Sequence, residues 1–246
     1  MSSADLLLIT GSSGGIGLNL TEFLVSAGWR NILCHYRTRS DEIARVLRKH
    51  NVDPTGRLLR ADLTQEDQVS QLRQQVEASF GNVYAVVNAA GGSTNNLTWK
   101  LSTAEFQQVM DQNVLTTFLT CREFAQSMRA QGRGRIINIS SVAAYAGAPG
   151  AAHYCAAKAA VIGFSRALAL ELAPKNIPVS VVALGYFQYG LIDGLSDAYK
   201  EDIRGRIPAR RFGAIAELGG LVRYLLSEAG AYCGGQVYHL NGGLYT

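Results

Sequence analysis

"DLLLITGSSGGIGLNLTEFLVSAG", residues 5–28, decides the fold. A short apolar run (5–10) ends in a glycine-rich turn, and apolar residues then recur at helical spacing over 16–28 up to a stop at Gly28. The run before the turn reads as a buried strand and the segment after it as a helix. The turn "TGSSGGIG" (10–17) therefore opens a helix N-terminus onto the end of a strand. Gly11 permits the tight turn, and Gly15 and Gly17 let a ligand and the packed helix approach the backbone. Unpaired N–H groups and the positive end of the helix dipole suit a pyrophosphate. A glycine-rich turn alone says little. Between strand and helix it reads as a dinucleotide-binding turn, with Ser13 and Ile16 inside it.

The same alternation runs outward along the chain. Strand "NILCHY" (31–36) precedes helix "SDEIARVLRKH" (40–50), with Ser40 or Asp41 as its cap. Strand "GRLLRA", helix "EDQVSQLRQQVEASF" and strand "YAVVNAA" follow. A long helix around 104–130, strand "RIINISS" (135–141), helix 153–173 and strand "VSVVAL" (179–184) come next. After a less regular stretch, helix 215–228 and strand "GQVYHL" (235–240) end the pattern. Strands joined through helices imply crossover units. The predicted fold is α/β, a Rossmann-type doubly wound parallel sheet of seven strands with helices on both faces. No repeat, low-complexity segment or linker divides residues 1–246, which read as a single domain.

The end of the second strand should select the dinucleotide. An acidic residue about 20 positions after the turn would bind the ribose hydroxyls and favour NAD. Cys34, His35 and Tyr36 offer no carboxylate there, and Arg37-Thr38-Arg39 follows. A guanidinium at 37 can pair with a 2′-phosphate, so NADPH/NADP+ is the expected cofactor. Gly14 adds no second positive charge within the turn.

Composition bounds the alternatives. An apolar content of 48% with 17% charged residues fits a folded protein, not a disordered one. The net charge of +4 is mild, and no basic tail of nucleic-acid type occurs. The densest basic stretch, "RGRIPARR" (204–211), reads as a solvated loop. Cys34, Cys121, Cys155 and Cys233 show neither CxxC pairing nor metal-ligand spacing; with no signal peptide evident, they point to a reducing cytoplasm. No apolar run approaches the roughly 20 residues of a membrane span.

"HYCAAKAA" (153–160) sets Tyr154 and Lys158 one helical turn apart on one face. With eleven tyrosines and five lysines in the chain, such a pair arises by chance in about one chain of five. Ser141 lies thirteen residues upstream at a strand's C-terminal end, where ligands bind in such sheets. Together with the glycine-rich turn, these residues make coincidence implausible.

From about residue 5 onward the sequence resembles the short-chain dehydrogenase/reductase family of the compact, single-domain type. Asn113, Ser141, Tyr154 and Lys158 stand where that family's catalytic tetrad would. "NAAG" (88–91) resembles the motif after its fourth strand and assigns Asn88, Ala89 and Gly91 to the cofactor. "ADL" (61–63) resembles its adenine segment, with Asp62 on the ring amine and Leu63 beside it. "NGG" (241–243) resembles the close of the β-ketoacyl carrier-protein reductases and acetoacetyl-CoA reductases. The resemblance implies an oxidoreductase in which Tyr154 protonates a keto oxygen as hydride arrives. A phenol with a reference pKa of about 10 suits pH 7 poorly. A nearby Lys158 ammonium should lower it, with the positive nicotinamide helping in the oxidised state. Lys158 would also hold the nicotinamide ribose, Ser141 would bond to the substrate oxygen, and Asn113 would hold a relay water.

One segment departs from the family pattern. Its usual Pro-Gly and later threonine are replaced within "ALGYFQYG" (183–190), where Leu184 takes the proline's place, Tyr189 the threonine's, and Gly185 remains. Tyr186, Phe187 and Tyr189 then either line an extended substrate's pocket or pack inward. Residues from about 186 to 212 form the expected substrate lid, whose Arg204, Arg206, Arg210 and Arg211 could attract a phosphopantetheine or CoA phosphate. Arg129, Arg133 and Lys175 lie where relatives meet an acidic carrier protein. The expected reaction is NADPH-dependent reduction of a β-ketoacyl thioester on carrier protein or CoA. A free-ketone reductase or secondary-alcohol dehydrogenase, and a non-catalytic NADP(H) sensor, are the alternatives. A cytoplasmic homotetramer is expected by resemblance.

Overall fold

The computed structural model describes residues 5–190 and 192–246; Leu191, inside the expected lid, lies outside them. Seven parallel strands form one sheet in the order β3-β2-β1-β4-β5-β6-β7. They are β1 (Leu7–Thr10), β2 (Ile32–Tyr36), β3 (Leu58–Arg60), β4 (Ala85–Asn88), β5 (Arg135–Ser141), β6 (Val179–Leu184) and β7 (Val237–Leu240). Strands β1, β2, β4, β5 and β6 bury nearly every residue, because crossover helices cover both faces of a parallel sheet; edge strand β3 buries only Leu59. Alternate residues feed two cores. Leu7 and Ile9 of β1 pack with α1 (Gly15–Ser26), α2 (Asp41–Lys49) and α9 (Ile215–Leu226). Leu8 faces the other layer, with α3 (Glu66–Phe80), α5 (Thr116–Gln131) and α7 (Ala152–Leu172). The strand order reverses between β1 and β4, where Thr10 lies in register with Asn88. That reversal opens the crevice in which ligands bind in such sheets.

The long helix expected around 104–130 is divided. Helix α4 (Thr103–Met110) begins in a capping box of Ser102 and Glu105, and a π-helical stretch, Asp111–Leu115, joins it to α5. The Asn113 side chain bonds to the Val109 carbonyl, 2.8 Å away, in place of a backbone donor. Thr116, Thr117 and Thr120 each bond through their hydroxyls to the carbonyl four residues earlier, which loosens the ladder further.

Two shorter helices were not evident from periodicity: α6 (Ala143–Ala146), just beyond β5, and α8 (Asp197–Arg206), inside the segment expected to be the lid. Ile192, Ile203, Ile207 and Phe212 make a separate small core there, with Tyr186, Leu195 and Leu244 against it. Among the described residues no helix is long and apolar enough to cross a membrane. All four cysteines are free thiols.

Candidate active site

The glycine turn holds its shape through the backbone. Gly11 has φ +67°, and a Cβ on it would lie 2.7 Å from Ala90 Cα, so only glycine fits between β1 and β4. A Cβ on Gly17 would meet the Gly11 carbonyl at 2.2 Å, and one on Gly15 the Gly190 backbone at 2.5 Å. Gly15 and the neighbouring Ile16 thus border the start of the lid, where the Gly190 N–H donates to Asp193 Oδ2 at 2.9 Å.

Beside the turn lies a cleft of about 210 Å³. The turn contributes Gly11 and Ser13, the loop after β2 Arg37 and Thr38, the loop after β3 Asp62 and Leu63, and the loop after β4 Ala89 and Gly91. Asp62 Oδ1 accepts from the Thr64 amide (3.0 Å) and hydroxyl (2.8 Å). Burial disfavours its charge, but the Thr64 bonds and the nearby Arg37 outweigh that and hold the carboxyl below its usual range. Arg37 stands at the open end, and its carbonyl accepts from Arg60 Nε at 3.3 Å. The sequence reading missed His35, Gln112 and Thr116 in this lining. Of these His35 had the clearest signal, a buried imidazole at the end of the second strand.

Asn88 and Gly185 lie outside the cleft wall. Asn88 is buried under it and donates to Asn138 Oδ1 (2.9 Å), while Asn138 donates to Ser165 on α7 (2.8 Å). Gly185 lies under the C-terminal tail, where a Cβ would meet Asn241 Cα at 2.6 Å.

Asn113, Ser141, Tyr154 and Lys158 come from the π-helical stretch, the end of β5 and the first two turns of α7. Asn113 is fully buried; its Nδ2 donates to the carbonyls of Gly92 (2.7 Å) and Val109 (2.8 Å). Its Oδ1 is buried without a protein partner. A Cβ on Gly91 would lie 2.6 Å from that oxygen and 3.3 Å from Lys158 Nζ, so both polar atoms face one spot at the cleft's inner end. Lys158 Nζ donates to the Ile139 carbonyl at 3.1 Å and lies 5.7 Å from the Tyr154 ring centre. Burial lowers the Lys158 ammonium to about 8.

Tyr154 departs from the sequence expectation. Burial pushes its phenol up to about 12, against the lowering effect of its hydrogen bond with Ser141. The Lys158 ammonium, held by the Ile139 carbonyl, is not the group that offsets burial here. Ser141 Oγ also accepts from the Ala143 amide at 3.2 Å, which aims the hydroxyl from the strand end.

In the 183–190 loop one of the three rings takes the inward arrangement. Phe187 packs inward, 3% exposed, against Gly213, whereas Tyr189 is 39% exposed and Tyr186 half-buried. The lid arginines are engaged within the lid and its flank. Arg204 pairs with Glu201, Arg206 with Asp202 and Arg211 with Glu217, and Arg210 donates to the Gly205 carbonyl. Arg133 is paired with Asp5 at 2.6 Å and lies over the Tyr84 ring.

A buried amide oxygen, an ammonium, a phenol and a hydroxyl thus gather behind Gly91, one of the residues that line the cleft. Comparison with known proteins gives the family. A family model described as short chain dehydrogenase matches residues 5–199. Nodulation protein G of Rhizobium sp. (strain N33) is 38% identical, over 96% of this chain and 95% of its own. Acetoacetyl-CoA reductase of Acinetobacter sp. (strain RA3849) is 37% identical, over 100% of this chain and 99% of its own. A 3-oxoacyl-acyl-carrier-protein reductase of Staphylococcus aureus (strain MW2) is 34% identical over the whole of both chains.

Proposed function

The chain belongs to the short-chain dehydrogenase family and is an oxidoreductase, and from that premise we propose that it reduces the keto group of a β-ketoacyl thioester, on carrier protein or CoA, with NADPH. The observation that carries the reading is the convergence of Asn113 Oδ1 and Lys158 Nζ at Gly91, with Tyr154 and Ser141 beside them. The thioester class is supported by the full-length likeness to an acetoacetyl-CoA reductase and to a carrier-protein reductase.

The cleft residues fit a dinucleotide. Gly11, Ser13, Gly15, Ile16 and Gly17 would hold the pyrophosphate at the α1 N-terminus, where no acidic side chain occupies the first turn. Asp62 and Leu63 would take the adenine, Arg37 and Thr38 the 2′-phosphate, and Ala89 and Gly91 the inner ribose, with Asn88 bracing that loop from below. Gly185 would border the nicotinamide. When bound, NADPH supplies the hydride.

The chain's own groups handle the proton. The Ser141 hydroxyl donates to the substrate's keto oxygen and fixes it beside Tyr154 Oη. The Tyr154 proton moves to that oxygen as negative charge develops on it. The Lys158 ammonium, whose proton burial has loosened, restores the Tyr154 proton and holds the ribose. Asn113 Oδ1, with no protein partner, accepts from a water that returns a proton to Lys158 from solvent.

We propose that the protein works as a homotetramer in the cytoplasm; apolar side chains left open on α5 and α7 (Phe118 at 37% and Leu170 at 79% exposure) support assembly. The half-buried Tyr186 and outward Tyr189 favour a second reading, a reductase of a bulkier free ketone or of a secondary alcohol in reverse.

NADPH and NADH oxidation, followed separately with acetoacetyl-CoA, a carrier-protein β-ketothioester and free ketones, tests the assignment. NADPH-dependent turnover of thioesters, reduced at least about 100-fold in Tyr154→Phe with NADPH affinity retained, is the expected result. Turnover of free ketones alone would pass the assignment to the second reading, and full activity of Tyr154→Phe would remove the tyrosine from its role.

A further inference from the structure

The cleft for the adenosine half has two walls that are not neighbours in the sheet. One is the glycine turn after β1, the other the Ala61–Thr64 loop after β3, and β2 runs between them. Two strand spacings, roughly 10 Å, separate the strands that carry the walls. His35, the penultimate residue of β2, bridges that gap and is 3% exposed. Its Nδ1 accepts from the Gly11 amide at 3.1 Å, and its Nε2 faces the Ala61 carbonyl at 3.0 Å. An amide can only donate and a carbonyl can only accept, so the pair of contacts fixes one neutral tautomer, with the proton on Nε2. The His35 carbonyl adds a third tie, accepting from the Ser12 amide at 2.8 Å. Asp62 and Arg37, the charged groups nearest the ring, both line the same cleft.

We propose that His35 is the positioning residue of the adenosine half-site, a single imidazole that sets the separation of the glycine turn and the Ala61–Thr64 loop and so governs affinity for the adenosine end of the cofactor. The inference rests on the dinucleotide reading above. The ring uses the Gly11 amide and thereby determines which way the rest of the turn presents its N–H groups. It also holds Ala61 in place, one residue before Asp62. The phenol, hydroxyl and ammonium lie at the cleft's other end, so the chemical step should be insensitive to it.

Three variants separate the two contacts. His35→Leu removes both, His35→Asn keeps an acceptor toward Gly11, and His35→Gln keeps a donor of the right reach toward Ala61. For each, the Kd of 2′,5′-ADP, the KM for NADPH, kcat and the thermal midpoint are measured. His35→Leu should raise the 2′,5′-ADP Kd and the NADPH KM together by about 10–30-fold, with kcat within about twofold. His35→Asn and His35→Gln should each recover part of the loss. A purely structural role would lower the thermal midpoint and leave the 2′,5′-ADP Kd unchanged well below it, and that result overturns the inference. So does a fall in kcat at constant KM. If His35→Leu does not fold, His35→Asn decides: weaker 2′,5′-ADP binding at constant kcat supports the assignment, and wild-type affinity overturns it. A wild-type protein that binds neither NADPH nor 2′,5′-ADP would overturn the dinucleotide reading and this inference with it. Wild-type binding with an unaffected His35→Leu overturns this inference alone.

Discussion

Replacing Lys158 by methionine should make the protein more stable while removing its activity. Lys158 is 6% exposed, and burial lowers its pKa from 10.5 to about 8. At 1.36 kcal/mol per pKa unit, holding the ammonium in the folded chain at neutral pH costs about 3 kcal/mol. The methionine also loses the bond to the Ile139 carbonyl, a charged-donor contact worth roughly 1.5–3 kcal/mol at most. That carbonyl lies on β5, paired in register with β6, and so keeps the setting of a strand acceptor. The net expectation is a gain of up to about 1.5 kcal/mol, each kcal/mol raising the midpoint by roughly 2–4 °C in a chain of this size.

The pH dependence supplies the sharper check. The folded group releases its proton near pH 8 and the unfolded group near 10.5, so between those values the unfolded chain holds more protons. Wild-type stability attributable to this group therefore rises across that window by up to about 1.4 kcal/mol per pH unit. Urea unfolding of both proteins at pH 7 and pH 9.5 measures the gap directly. The advantage of Lys158→Met should shrink at the higher pH. A variant less stable than wild type at pH 7, or a gap independent of pH, would refute the assignment of a strained, buried ammonium.

Two further outcomes follow from the cofactor cleft. Arg37→Ala should lower kcat/KM for NADPH by about 10–100-fold and leave NADH within about twofold, because a guanidinium–phosphate pair is lost and nothing else; equal losses with both cofactors would count against it. His35, held at about 4 chiefly by burial, remains neutral in the fold while the unfolded imidazole takes a proton near 6.5. Its contribution to stability is complete above pH 6.5 and is lost as pH falls from there to 4, amounting to about 3 kcal/mol, so acid titration of His35→Asn should be flatter than wild type across that window.

Much of this was legible because it is periodic or local. Short runs bounded by turns marked all seven strands, and residues 66–80 form the helix expected there. The break in the 104–130 helix was not legible, since it follows from the Asn113 amide taking the place of a backbone donor while the apolar spacing continues on either side. Helix α8 escaped because Ile203 is its only buried residue, which leaves no apolar stripe to count. The family resemblance named Asn113, Ser141, Tyr154 and Lys158 as a candidate tetrad, but their electrostatics were not legible. That Tyr154 is raised, with Ser141 as the offsetting partner, depends on burial that only packing creates. His35 was read merely as a missing carboxylate. Its bonds join the loops after β1 and β3, which lie 24 and 26 residues away along the chain. Asn88 was placed in a cofactor motif, yet its amide is spent on Asn138 and Cys121, inside the layer that the motif sits on.

The small core of Ile192, Ile203, Ile207 and Phe212 stands apart from the two cores that hold the sheet. Substitutions within it loosen a cap without loosening the strands that aim Ser141 or the helix that carries Tyr154 and Lys158. Under the proposed function, substitutions there would change what the cap admits while leaving those strands and that helix in place. Selection for a new acyl chain or a new ketone would be expected to leave its record in the cap first.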